Sequence, residues 1–158
     1  MTVPSSDEVF RILPCGPRAP GRARALLRAQ LTEWKVDVDT ADTAELLLSE
    51  LVTNALRHAR APRGRQIGVR VARYGGVLRV EVADAGDPVE LAPQAAGEAD
   101  ERGRGLAIVA TLAERWGQCP RLHGIGKAVW AEVAVRGWGP ATPQEAWKGA
   151  RSRSRGPR

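Results

Sequence analysis

The sequence predicts an α/β two-layer sandwich, a mixed and mostly antiparallel sheet with three helices on one face. Three observations carry this. Apolar residues alternate along 66–73, 77–83 and 127–135, the pattern of half-buried strands. Around 21–34, 41–60 and 105–116 they recur instead at helical spacing. The resulting order, strand, helix, helix, strand, strand, loop, helix, strand, strand, supplies one layer of helices for one sheet.

Residues 9–13 (VFRIL) form a first strand, and the turn-rich stretch from Pro14 to Pro20 leaves it. The first helix, 21–34, carries Leu26, Leu27, Leu31 and Trp34 at helical spacing. After a polar link at 35–39, Asp39 or Thr40 is a candidate cap for a second helix over 41–60. Pro62 and Gly64 end it. Ile67, Val69 and Val71 share one face of the next strand, and Leu78, Val80 and Val82 one face of its partner. Gly75-Gly76 between them is a hairpin signal. Residues 85–102 show no clean period, and a loop that long in a compact domain is functional or disordered. Leu106, Val109, Leu112, Ala113 and Trp116 then mark a helix over 105–116. Two strands, 118–123 and 127–135, turn at Gly124-Ile125-Gly126.

The chain has 158 residues, 43% of them apolar, which suits a single domain with a real core. Its net charge of +6 is uneven. Lys148, Arg151, Arg153, Arg155 and Arg158 stand against Glu145 alone after residue 136. The expected division is therefore a folded domain over 1–136 and a basic flexible tail over 137–158. With most of the excess charge in the tail, nucleic-acid binding by the body is disfavoured. Cys15 and Cys119 form no CxxC pair and are expected as two buried thiols. No secretory leader and no apolar run near a membrane span's length is visible, so a cytoplasmic protein is expected.

Three motifs can carry chemistry. The first is Glu50-x-x-x-Asn54-x-x-x-His58. At about 100° per residue, Leu47, Leu48, Leu51, Val52 and Ala55 share one stripe, and Ser49, Thr53 and Arg57 face away from it. Glu50, Asn54 and His58 fall on the seam between. An amide oxygen there suits Mg²⁺, which prefers oxygen ligands and keeps several waters. A carboxylate one turn away can orient or deprotonate a hydroxyl. Ordinary boundary residues would show the same spacing. The second motif is Asp84-Ala85-Gly86, which ends an alternating strand with Asp84 on the buried side. A buried carboxylate needs a donor, and adenine's exocyclic amine is one. Gly86 would let the backbone approach the base. A simple strand-ending turn fits as well. The third is Gly103-Arg104-Gly105-Leu106 at a helix start, where amide donors and the dipole favour phosphate. A plain helix-start turn has the same form.

The order of these motifs is more specific than any one of them. LLLSELVTNALRHA, VADAG, GRGLAIVATLAERWG and GKAVWAEV together resemble the Bergerat ATP-binding fold of gyrase, histidine kinases and the MutL repair protein. The branch most resembled, over about residues 8–136, is the stand-alone anti-sigma-factor serine kinase. The resemblance implies that Glu50 is the general base and that Asn54 holds Mg²⁺. It implies that Asp84, with Gly86, meets adenine and that Gly103, Arg104, Gly105 and Leu106 meet the phosphates of ATP. Residues 87–102 become an ATP lid. It further implies a cytoplasmic protein serine/threonine kinase, homodimeric, holding a sigma factor or phosphorylating a STAS-type anti-anti-sigma partner. Three departures keep a non-catalytic, partner-sequestering module open. AGDPVE lacks a second glycine, the lid carries Asp87, Glu90, Glu98, Asp100 and Glu101, and Ala128 stands where the family's GKTVW-like segment has a hydroxyl residue.

Overall fold

The computed structural model describes residues 8–58, 66–84, 101–120 and 126–137. The chain runs β1 (Glu8–Pro14), α1 (Ala19–Glu33), α2 (Val38–His58), β2 (Gln66–Tyr74), β3 (Val77–Asp84), α3 (Glu101–Leu112), β4 (Arg115–Pro120) and β5 (Lys127–Ala134). The strands form one sheet in the order β1-β2-β3-β5-β4. Among the described residues all four ladders are antiparallel, in line with the expected, mostly antiparallel sheet. The two-layer α/β sandwich is the observed architecture. The 137–158 segment, the central lid and Gly86 lie outside the described residues, apart from Gly137.

Register decides which side chains meet the helices. Val69 pairs with Val82, and Val71 with Val80. Val82 continues to Val129, Val80 to Ala131 and Leu78 to Val133. These side chains all belong to the buried cluster that includes Leu27 and Leu31 of α1 and Leu47, Leu48, Leu51, Val52 and Ala55 of α2. α2 lies over β3 and β5, flanked by α1 and α3. None of the described helices is long and apolar enough to cross a membrane.

Local chemistry sets the helix ends, and three differ from expectation. The cap of α2 is Asp37, not Asp39 or Thr40. Its Oδ2 accepts from the Thr40 amide at 3.0 Å and from the Thr40 hydroxyl at 2.9 Å. Those hydrogen bonds hold the Asp37 carboxyl below its ordinary range. Asp39 and Thr40 lie inside the first turn. α1 ends in a Schellman motif: Val36 N–H reaches Leu31 O at 3.0 Å and Lys35 N–H reaches Thr32 O at 3.1 Å. Lys35 takes φ +55° there, a conformation usually left to glycine. α3 stops at Leu112, not 116. Glu114 N–H bonds Glu132 O at 2.9 Å, so strand pairing outcompetes further helix. Trp116 is therefore a β4 residue packed at the core's edge. α3 also begins earlier than expected, and Glu101 and Arg102 belong to it instead of to a lid. Cys15 and Cys119, expected to be buried, are both only half-buried.

The outer sheet face carries charge that helices do not cover. Arg79 donates to Glu132 Oε1 at 3.1 Å and to Glu81 Oε2 at 3.1 and 3.2 Å. Its guanidinium lies 4.2 Å from the Trp130 ring centroid. The Tyr74 hydroxyl donates to Glu132 at 3.3 Å, and burial raises that phenol's pKa. Arg79 and Glu132 are 8% and 3% exposed, so breaking the pair strands a charge that water cannot reach. Arg79→Ala is expected to destabilise by about 3–5 kcal/mol, the range for removing one partner of a buried pair, measured by urea unfolding. Lys35→Gly is expected to stabilise by about 1 kcal/mol, because it relieves the left-handed backbone cost. An unchanged urea midpoint would contradict it.

Candidate functional site

The ends of the elements, more than their middles, locate the site. A cavity of ≈ 310 Å³ is lined by Asp37 and Thr40 at the start of α2, by Leu112 and Glu114 at the end of α3, and by Val133 and Arg136 at the end of β5. That cavity fixes the relative direction of the elements. α2 and α3 run antiparallel, and the start of α2 lies near the end of β5. The opposite end of the molecule must therefore gather the last turns of α2, the first turns of α3, the end of β3 and the start of β5. Asn54 lies about 22 Å along α2 from Asp39 at 1.5 Å per residue. The cavity and the candidate site are thus at opposite ends of the same helix.

At that second end stand the residues expected from sequence. Asn54 is 6% exposed, and its Nδ2 is sealed from solvent without a hydrogen-bond partner among the described residues. Leaving a buried amide end unmatched costs about 1–3 kcal/mol. Such a group fits a ligand. The oxygen of the same amide is the atom that would take a hard cation. Glu50, one turn earlier, is half-buried, so its carboxylate remains reachable from outside the core. The described residues hold no group of three or more His, Cys, Asp or Glu able to cage a metal. Asn54 would suit an ion held mostly by waters and phosphates, as Mg²⁺ commonly is.

Asp84 closes β3 at 2% exposure. Alternation puts it on the helix side with Val82 and Val80. Gly103, Arg104 and Gly105 fall within the opening turns of α3 instead of ahead of it. With the helix starting at Glu101, the Gly103 amide is among its open N–H groups at the positive end, and Arg104 and Gly105 fall where the helical ladder begins. Leu106 is buried at 7% exposure and anchors that turn to the body. α3 packs against α2, so the helix start, the Asn54 seam and the end of β3 share one end of the fold. Gly86, expected beside adenine, lies outside the described residues, as do residues 87–100 of the expected lid.

One residue at this end was not anticipated as part of the site. Lys127 is 0% exposed, the largest of the fully buried side chains among the described residues. It pairs in register with Asp84. The GK at the start of the last strand was its available signal. The buried Arg79–Glu132 pair was also not anticipated, because alternation marks these positions as outward-facing.

The model of the histidine kinase-like ATPase domain matches residues 14–133. A curated relative, the histidine protein kinase DivJ of Caulobacter vibrioides, is 35% identical over an alignment of 102 positions that covers 58% of this chain. The match spans only 16% of DivJ's own length. A crystal structure of the RsbU and RsbW domains of Rv1364c from Mycobacterium tuberculosis superposes with a TM-score of 0.62 at 24% identity. It covers 81% of this chain and 32% of that one, and it shares the fold. With three quarters of its length inside the family model, and with the α2 seam and the β3 end assembled at one end of the fold, the chain belongs to the histidine kinase-like ATPase domain family.

Proposed function

We propose that this domain is an Mg²⁺-dependent ATP-binding protein serine kinase of the anti-sigma-factor type. Its substrate is a serine on a STAS-type anti-anti-sigma partner, and it works as a cytoplasmic homodimer. The observation that carries the reading is the buried Asn54 amide with an unmatched end, one helical turn from a reachable carboxylate.

Phosphoryl transfer requires positioning, charge stabilisation and acceptance of the hydroxyl proton. Asp84, fixed at the end of β3, receives adenine's exocyclic amine and rejects guanine, which has a carbonyl oxygen at that position. Gly103 and Gly105 leave the backbone amides of α3 open to the phosphates, with Arg104 between them. Asn54 would hold Mg²⁺, whose charge neutralises the phosphate oxygens. Glu50 accepts the serine proton. The serine oxygen then bonds to the γ-phosphorus as the bond from that phosphorus to the β–γ bridging oxygen breaks, giving phosphoserine and ADP.

The alternative, a partner-sequestering module without turnover, rests on the acidic stretch and Ala128. Its second support weakens on the strand register. Lys127 shares the helix side with Asp84, so Ala128 faces the outer side. A missing hydroxyl there does not face the site.

Calorimetry should show ATP binding that depends on Mg²⁺ and exceeds GTP binding. Asn54→Ala should remove the metal-dependent part and Asp84→Asn the base preference. Equal affinity for ATP and GTP would overturn the site. Glu50→Ala should retain ATP binding and slow labelling of a STAS-type partner from γ-labelled ATP by about 10²–10⁴-fold, the usual general-base contribution. A wild-type protein that binds ATP and the partner yet transfers no label would establish the sequestering module instead.

A further inference from the structure

We infer that Lys127 is a positioning and specificity-determining residue of the nucleotide site, acting through Asp84. The inference rests on the adenine-binding role proposed above for Asp84.

Lys127 has no exposed surface and Asp84 has 2%. An ammonium in such surroundings is strongly unfavourable unless a countercharge lies beside it. The sheet supplies one. Asp84 and Lys127 are directly opposed across the β3–β5 ladder, and opposed residues carry Cβ atoms about 4.5–5.5 Å apart on the same face. Alternation removes the other candidates in the strands. Glu81 pairs with Trp130, Glu132 with Arg79 and Glu8 with Ala72, all on the outer face. Asp84 is the acidic strand residue on the helix side among those described. The outer acids are also engaged: Glu81 and Glu132 by Arg79, and Glu8 by Arg70 at 2.7 Å.

The pairing has a functional consequence. A carboxylate selects adenine only while it is an acceptor aimed at the base. A buried carboxylate with a lysine directly opposite on the same face of the ladder is drawn toward a restricted set of rotamers. The lysine's attraction acts from across the ladder and leaves the carboxylate's other side to the exocyclic amine. Lys127 therefore touches no substrate in this assignment. It sets the state and direction of the group that does. Lysine suits the task because its long stem fills core volume while its ammonium delivers a point charge.

The test uses the full chain and four proteins: wild type, Lys127→Met, Asp84→Asn and the double variant. Methionine keeps the stem's volume and removes the charge. Affinities for ATP and for inosine triphosphate, which carries a carbonyl oxygen where ATP has the amine, are measured with Mg²⁺. Lys127→Met is expected to lower the ATP-to-ITP preference at least tenfold. In the Asp84→Asn background the same change should leave the preference unaltered. The thermal midpoint is the second readout, and it needs no nucleotide. Lys127→Met should melt well below wild type, and adding Asp84→Asn should recover much of the loss, since the uncompensated carboxylate is then gone. If Lys127→Met unfolds outright, recovery of a folded double variant still supports the pairing. A Lys127→Met protein with wild-type ATP preference overturns the inference, and so does a double variant whose losses simply add. If no variant, wild type included, binds ATP while the thermal recovery is seen, the nucleotide-site reading fails and the ion pair stands as a structural one.

Discussion

Leu47, Leu48, Leu51, Val52 and Ala55 of α2 share one buried cluster with the valines of β3 and β5, and every feature of the site depends on how that helix is seated. Each large apolar side chain contributes about 1.5–3 kcal/mol on burial. Their sum exceeds the roughly 1–3 kcal/mol lost by burying an amide with an unmatched end. The helix is therefore held with Asn54 at the margin of the core, and the polar seam cannot rotate away to satisfy it. Glu50 keeps partial access because it sits on the same seam, one turn nearer the middle of α2.

A second constraint acts across the sheet. Arg79, Glu81, Glu132 and Tyr74 join β2, β3 and β5 on the outer face, directly behind the strands that carry the apolar core. Trp130 completes the group with its ring against Arg79 and over Gly117, where a Cβ would stand 3.0 Å from the ring. A side chain at 117 would lift the ring from β4, which explains a glycine in the middle of that strand. The β3–β5 ladder is thus clamped from both sides, apolar within and ionic without. The register that opposes Asp84 to Lys127 depends on that clamping, since a slip of one residue in β5 would turn Lys127 to the outer face and leave Asp84 on the helix side.

Most of the architecture was legible because periodicity reports burial directly. The three helices, the 75–76 hairpin and the inner faces of β2 and β3 follow from apolar spacing alone. The elements misjudged were those set by partners distant in sequence. Trp116 continues an apolar helical pattern, yet the edge of β5 draws residues 114–120 into the sheet. The cap of α2 moved to Asp37 because capping depends on which side chain reaches the Thr40 amide, and several neighbouring polar residues compete for that role. Glu50 and Asn54 were legible as a seam. Lys127 was not, because a lone lysine in a strand reads as an outward-facing charge until the opposite strand is known.

Strand parity then changes how the family departures are weighed. In GKAVW the lysine and the alanine are neighbours in sequence but face opposite sides of the sheet. The hydroxyl that Ala128 lacks would lie on the outer side, near Cys119 and Ala83, its register partners. The retained lysine is on the helix side of the sheet, at the end of the fold where the proposed nucleotide site lies. Judged by position in the sequence alone, the segment is altered at its most informative place. Judged by the face each residue occupies, the position next to Asp84 is intact, and the altered one belongs to the surface behind it. Besides the missing second glycine of AGDPVE, the acidic stretch before α3 is the remaining departure. Its carboxylates bear on a bound triphosphate only at separations shorter than a Debye length of about 8–10 Å, so charge repulsion acts on nucleotide affinity and on its salt dependence. The proposed general base, Glu50, stands on α2, outside that stretch. Weak ATP binding and competent phosphoryl transfer are therefore compatible in one protein, and affinity alone does not separate a kinase from a sequestering module.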